Sequence, residues 1–147
     1  TLTGGLTTVR TVQPFGKGYT GELRVATGDF NGDGTLDVVV GAGPGGGPRV
    51  AVLDGATGRS LKDYFAFEPR FTGGVYVALG DIDADGRADV IVGAGEGGGP
   101  RVQVTNAKTD RVILDAFVYE STFRGGARVA AGDVTGDGRV DLVTGAG

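Results

Sequence analysis

The stretch Gly28-Asp29-Phe30-Asn31-Gly32-Asp33-Gly34-Thr35-Leu36-Asp37-Val38-Val39-Val40-Gly41-Ala42-Gly43 returns as GDIDADGRADVIVGAG from Gly80 and as GDVTGDGRVDLVTGAG from Gly132. Both steps are 52 residues, and the register holds outside the blocks: Phe15, Phe67 and Tyr119 align, as do Tyr19, Phe71 and Phe123, and Gly21, Gly73 and Gly125. A fixed period of this length marks stacked copies of one supersecondary unit. Three periods of 52 make 156 residues, nine more than the 147 present, and the shortfall corresponds to the segment PGGGPRVAV that follows Gly43 in the first copy. The chain is therefore expected to begin and end inside a repeat and, having no Met, to be processed, trimmed or cut from something longer.

Each period holds four short runs rich in β-branched and aromatic residues, in the first copy Leu23–Thr27, Asp37–Ala42, Arg49–Leu53 and Arg59–Phe67. Gly-rich turns separate them, which is the signature of strands joined by hairpins. Val38-Val39-Val40 is apolar on both faces and is expected at the centre of a sheet, whereas Leu61-Lys62-Asp63-Tyr64-Phe65 mixes polar and apolar residues as a more exposed strand does. Four antiparallel strands per repeat of this size predict an all-β fold of β-propeller blades. No segment carries an uninterrupted helical period. The expected organisation is one domain over 1–147, with repeats over 28–79 and 80–131 and a blade split between 1–27 and 132–147. Propellers have about four to eight blades, so three repeats leave sheet edges that folded proteins cover. Two completions follow: a homodimer in which two half propellers close a six-bladed ring, or membership in a longer repeat array.

Composition narrows the chemistry. The 31 Gly and 5 Pro approach the low-complexity range, but a hydrophobic fraction of 39% supplies a core, which excludes disorder and collagen. With no Cys and no His the chain has no disulfide, no thiol nucleophile and no imidazole base or ligand. Ser60 and Ser121 are the only serines, so hydrolysis by a Ser-His-Asp triad is excluded. The formal net charge is −4 with Lys and Arg scattered, so no basic stripe for nucleic acid is expected. No apolar run approaches the roughly 18 to 20 residues that span a bilayer, so no membrane insertion is expected.

The acidic residues are concentrated instead. Loop Asp29–Asp37 places oxygen-bearing side chains at positions 1, 3, 5 and 9, namely Asp29, Asn31, Asp33 and Asp37, with Gly34 at position 6 and the carbonyl of Thr35 at position 7. Calcium takes six to eight oxygens at about 2.3 to 2.6 Å, which a tight loop supplies by alternation, and glycine permits the sharp turn. The second loop offers Asp81, Asp83, Asp85, Asp89 and the Arg87 carbonyl; the third offers Asp133, Asp137, Asp141 and the Arg139 carbonyl, with Thr135 at position 3. The third is expected to bind most weakly. One such loop reads equally well as a solvated Asp/Gly hairpin turn, but three in register favour a bound cation, one Ca2+ per repeat and three per chain. Ten of the eighteen acidic residues lie in these loops and repel one another without a cation. Magnesium fits less well because it demands octahedral geometry and keeps its waters. An EF-hand is rejected, since its Glu at position 12 falls on Val40, Val92 and Thr144.

The pattern D-x-[DNT]-x-D-G-x-x-D, followed by apolar residues and Gly-Ala-Gly, resembles the FG-GAP or VCBS-type repeat of integrin α-subunit propellers and bacterial surface proteins, over essentially the whole chain. Phe-Gly occurs only as Phe15-Gly16, and Gly-Ala-Gly stands where the family has Gly-Ala-Pro. The resemblance implies a calcium loop between the first two strands of each blade, an extracellular or cell-surface setting, and a role in adhesion, protein-ligand recognition or carbohydrate binding.

Other features have structural readings. Gly41-Ala42-Gly43-Pro44-Gly45-Gly46 and Gly93 to Gly98 satisfy G-x-G-x-x-G, but a strand follows each where a phosphate site needs a helix N-terminus, so both are turns. Alternating strand direction puts the metal loops and the Asp54-Gly55-Ala56-Thr57-Gly58 turns on one face and the Gly-rich loops and the Glu68-to-Gly73 connection on the other. That second face carries Arg49, Arg101, Glu68, Arg70 and Glu120 and is the better place for a protein or glycan partner, although Arg49 and Arg101 are expected chiefly to brace neighbouring blades through residues such as Glu68 and Glu120. Tyr19, Phe71 and Phe123 are expected to pack blades. Glu22, Glu68, Glu96, Glu120, Asp54, Asp63, Asp110 and Asp115 are the acids outside the metal loops, and they form no acid–base pair visible in sequence, so the protein is expected not to be an enzyme; a lectin is the alternative, and a polysaccharide lyase or glycosidase a remoter one.

Overall fold

The computed structural model describes Thr8 and residues 10–147. Ten strands and no helix occur among them: β1 Leu23–Gly28, β2 Asp37–Ala42, β3 Arg49–Leu53, β4 Ser60–Phe65, β5 Val75–Gly80, β6 Asp89–Ala94, β7 Arg101–Thr105, β8 Val112–Phe117, β9 Ala127–Gly132 and β10 Asp141–Ala146. They form three antiparallel sheets in simple meander order, β1-β2-β3-β4, β5-β6-β7-β8 and β9-β10. No helix among the described residues is long and apolar enough to cross a membrane.

The two four-stranded sheets match propeller blades in strand number, order and stacking, the two-stranded β9-β10 sheet stacks on them as part of another, and no ring is closed among the described residues. Within each complete sheet, register repeats: Val25 lies opposite Val40 as Val77 lies opposite Val92, and a one-residue slip at Val52/Leu53 recurs at Val104/Thr105. The complete sheets begin at Leu23 and Val75, ahead of the Gly28 and Gly80 that mark the sequence repeat, because β1 pairs with β2 and β5 with β6. Of the expected split blade, 132–147 contributes to β9-β10, while residues 1–7 and 9 lie outside the described part. The fourth strand is shorter than the expected Arg59–Phe67. It ends at Phe65, because Ala66 and Phe67 turn into the core and Ala66 N–H donates to Pro48 O.

Alternation along the strands feeds two cores. Val39, Val90 and Val92 pack between the first and second sheets with Val50, Val52, Val75 and Val77. Ile91, one residue out of phase, joins Val102, Val104 and Ala127 between the second and third. A third cluster seats Phe15 on the other face of the first sheet, against Val40, Ala51 and Leu53. The blades touch closely: a Cβ at Gly93 would lie 2.0 Å from Ala127 O, so no larger residue fits there.

The stacking has the same period as the sequence. Lys62 on β4 forms an ion pair with Asp110 of the second sheet. Arg10, one period earlier, donates to Ala56 O at 2.9 Å, so residues around Arg10 stand against the first sheet as β4 stands against the second.

Candidate metal centre

Each acidic loop connects the first two strands of its sheet, β1 to β2, β5 to β6 and β9 to β10. The first Asp folds the loop around itself. Asp29 accepts from Gly32 N at 2.8 Å, Asp33 N at 3.1 Å and Gly34 N at 2.9 Å; Asp81 accepts from Asp85 N and Gly86 N; Asp133 accepts from Gly136 N, Asp137 N and Gly138 N. These backbone donors hold the Asp133 carboxyl below the usual range, Gly138 first. Position 5 then fixes position 7: Asp33 accepts from Thr35 N, Asp85 from Arg87 N and Asp137 from Arg139 N. Gly34 sits at φ +85°, and Gly86 at +92°, in the left-handed region that the turn at position 6 requires.

The last Asp closes the loop from inside. Asp37 and Asp89 are fully buried. Asp37 Oδ2 accepts from Phe30 N and Asn31 N, and Asp89 Oδ2 from Ile82 N. Their Oδ1 atoms accept from the β3–β4 and β7–β8 turns, Gly55 N at 2.9 Å and Ala107 N at 3.0 Å. In the third loop Asp141 accepts from Val134 N and Thr135 N.

Carboxylates converge most closely in the second loop, where ligand oxygens of Asp81, Asp83 and Asp89 all lie within 4.8 Å of one another. Burial pushes the Asp89 carboxyl up, and the Asp83 and Asp85 charges push the same way against the two backbone donors. Asp85 moves down, chiefly through its hydrogen bond with Asn106. In the other loops position 3 is Asn31 or Thr135, so three carboxylates do not meet in the same way. No loop carboxylate has an ion pair with Lys or Arg among the described residues. An all-oxygen donor set with a buried, uncompensated carboxylate fits a hard divalent cation.

The sequence placed the Asp54 turn on the face of the metal loops but assigned neither Asp54 nor Asn106 to the site. Asp54 and Asn106, at the start of the β3–β4 and β7–β8 turns, reach the loops: Asn31 Nδ2 donates to Asp54 Oδ2 at 3.3 Å, and Asn106 Nδ2 donates to Asp83 Oδ2 at 2.7 Å and Asp85 Oδ2 at 3.0 Å. Asp54 is 23 residues from Asn31, and Asn106 is 23 from Asp83 and 21 from Asp85. Their recurrence at 52 residues was the available signal. Neighbouring loops also join, through Ala88 N to Asp29 O at 2.8 Å.

The opposite face is built as a brace. Arg49 binds Asp63 through two nitrogens at 2.8 and 2.6 Å and lies over the Phe15 ring; Arg101 binds Asp115 at 2.8 Å twice, reaches Glu68 of the preceding blade at 3.1 Å, and lies over Phe67. The Arg hydrogen bonds hold the Asp63 and Asp115 carboxyls below their usual range. Glu120 takes part in no ion pair among the described residues. The G-x-G-x-x-G segments are turns leading into β3 and β7. Phe15–Tyr19, Phe67–Phe71 and Tyr119–Phe123 are edge-on aromatic pairs; of the aromatics expected to pack blades, Tyr19 and Phe71 lie against core clusters, and Phe123 pairs with Tyr119 alone among the described aromatic rings.

Four-stranded meanders stacked on one another, each with an Asp-rich hairpin loop at the same place, define a repeat protein of β-propeller blades. Residues 29–92 match the FG-GAP-like repeat, and this match, with the likeness that follows, supports reading the chain as an FG-GAP repeat protein of the integrin-like kind. It is 30% identical to integrin alpha-PS2 of Drosophila melanogaster over 151 aligned positions, which take in 83% of this chain and 10% of that protein. The chain thus spans about a tenth of the length of the curated relative it matches.

Proposed function

We propose that the chain is a calcium-binding, non-catalytic propeller module that serves as a structural and adhesive, protein-binding part of an extracellular protein. The observation that carries the calcium reading is the meeting of Asp81, Asp83 and buried Asp89 without a basic partner. The adhesive and extracellular reading draws on the likeness to an integrin α chain.

In the second loop Asp81, Asp83, Asp85 and Asp89 would hold the ion with the Arg87 carbonyl. Asp29, Asn31, Asp33, Asp37 and the Thr35 carbonyl would do so in the first, and Asp133, Thr135, Asp137, Asp141 and the Arg139 carbonyl in the third. The ion supplies positive charge that cancels carboxylate repulsion. The chain's own part is to shape the loop through backbone N–H groups and to join it, via Asp37 and Asp89, to the next hairpin of the same blade. Calcium is therefore architecture: it fixes blade shape, and the blades present the binding surface.

Thermal unfolding in calcium and in excess chelator tests this. At free calcium about tenfold above the dissociation constant, mass action adds on the order of 1.4 kcal/mol per site, so chelation should lower Tm by several degrees, and magnesium should restore little of it. An unchanged Tm overturns the assignment.

A further inference from the structure

The first two metal loops differ at position 3, Asn31 against Asp83, and the turns packed on them differ in the opposite sense, Asp54 against Asn106. Asp54 and Asn106 do the same work in their own turns. Asp54 Oδ1 accepts from Thr57 N at 2.6 Å and Thr57 Oγ1 at 2.8 Å; Asn106 Oδ1 accepts from Thr109 N at 2.7 Å and Thr109 Oγ1 at 2.8 Å. A backbone N–H only donates, so the oxygen of Asn106 belongs on the turn side and its NH2 on the loop side. The difference lies in the atom left facing the loop. In the first blade it is a carboxylate oxygen, Asp54 Oδ2, accepting from the Asn31 amide; in the second it is an amide, Asn106 Nδ2, donating to Asp83 and Asp85. Amide and carboxylate have exchanged sides of one contact.

The exchange conserves charge. Asp29, Asp33 and Asp37 with Asp54 make four carboxylates around one amide, Asn31; Asp81, Asp83, Asp85 and Asp89 make four around Asn106. We propose that Asp54 is the fourth carboxylate of the first calcium site and Asn106 the positioning donor of the second, so that two loops of unlike sequence offer a divalent cation the same charge. This rests on the calcium reading above. Asp54 also orients Asn31: with Nδ2 held by Asp33 and Asp54, the amide oxygen, which accepts from Asp33 N at 2.8 Å, keeps its second lone pair for the cation. Each cation is thereby tied to the turn of the second hairpin in its blade.

The test is a calcium titration of the whole chain followed by backbone amide NMR, which reads loop 29–37 separately from loop 81–89. Asp54→Asn should weaken the first site about tenfold, the scale of an outer-sphere ligand partner, and leave the second unchanged; the turn should survive, since Asn106 caps its own turn with the same atom. The double variant N31D/D54N, which copies the second blade, should recover the first site's affinity. Wild-type affinity in D54N, or a double variant no tighter than the single, overturns the pairing. A wild-type chain whose loop amides ignore calcium overturns the calcium reading instead.

Discussion

Asp37 is fully buried, and both of its oxygens are already engaged, Oδ2 by Phe30 N and Asn31 N and Oδ1 by Gly55 N. Its carboxylate thus organises two loops even where no cation is bound. An Asn at this position offers one acceptor oxygen and one NH2, and the NH2 must face a backbone donor. Asp37→Asn is therefore expected to strand a buried N–H and cost about 1 to 3 kcal/mol, measured by urea unfolding in excess chelator so that calcium contributes nothing. Unchanged stability there would mean that position 9 serves the metal alone. The candidate loop ligands could be named from sequence because spacing within nine residues is local. Strand direction put the Asp54 turn on the face of those loops, but the contacts of Asp54 and Asn106 could not be named, since they depend on how the β2–β3 and β6–β7 hairpins fold back onto residues 21 to 23 positions away. Ala84 was equally hidden. It takes φ 59° where Gly32 and Gly136 take 76° and 77°, and its sequence alone reads as an ordinary loop residue.

Among the strands, β6 is buried along its whole length because a sheet lies on either side of it. The reading of Val38-Val39-Val40 as apolar on both faces and central carries over by one period to Val90-Ile91-Val92, whereas β8 alternates exposed and half-buried residues at the sheet's outer edge. Ile91 is fully buried and Ile113 is 43% exposed, so the same substitution should separate them. Ile91→Ala is expected to cost about 2 to 5 kcal/mol by transfer and cavity, and Ile113→Ala to stay within about 0.5 kcal/mol, in denaturant unfolding of the calcium-loaded protein. Equal losses would show that the outer strand is covered in solution. The end of β4 was the part sequence misplaced. Ala66 and Phe67 continue the apolar pattern of the strand, but Phe67 is needed in the core between blades, under the Arg101 guanidinium. The Arg101 brace was foreseen toward Glu68 but not toward Asp115, a cross-strand partner that follows only once β7 and β8 are placed in register.

On the scale of the molecule, the blades stack because apolar residues fill both faces of the middle strands, and that much could be read from three copies in register. The number of blades in the finished ring could not, since stacking is decided between neighbours and a repeat carries no record of how many follow. The third sheet has two strands, and the outer edge of β10 has no strand partner among the described residues. Such edges invite pairing. A second copy of the chain would supply three more repeats and bring the count to six, within the range of about four to eight in which propellers close. The expectation is then a particle of twice 14.8 kDa by sedimentation or light scattering in calcium, falling toward the single-chain mass when chelator loosens the loops that shape each blade. A chain that stays single at micromolar concentration in calcium rules out the two-copy ring, and the edge of β10 is then left for a strand from further repeats of a longer protein.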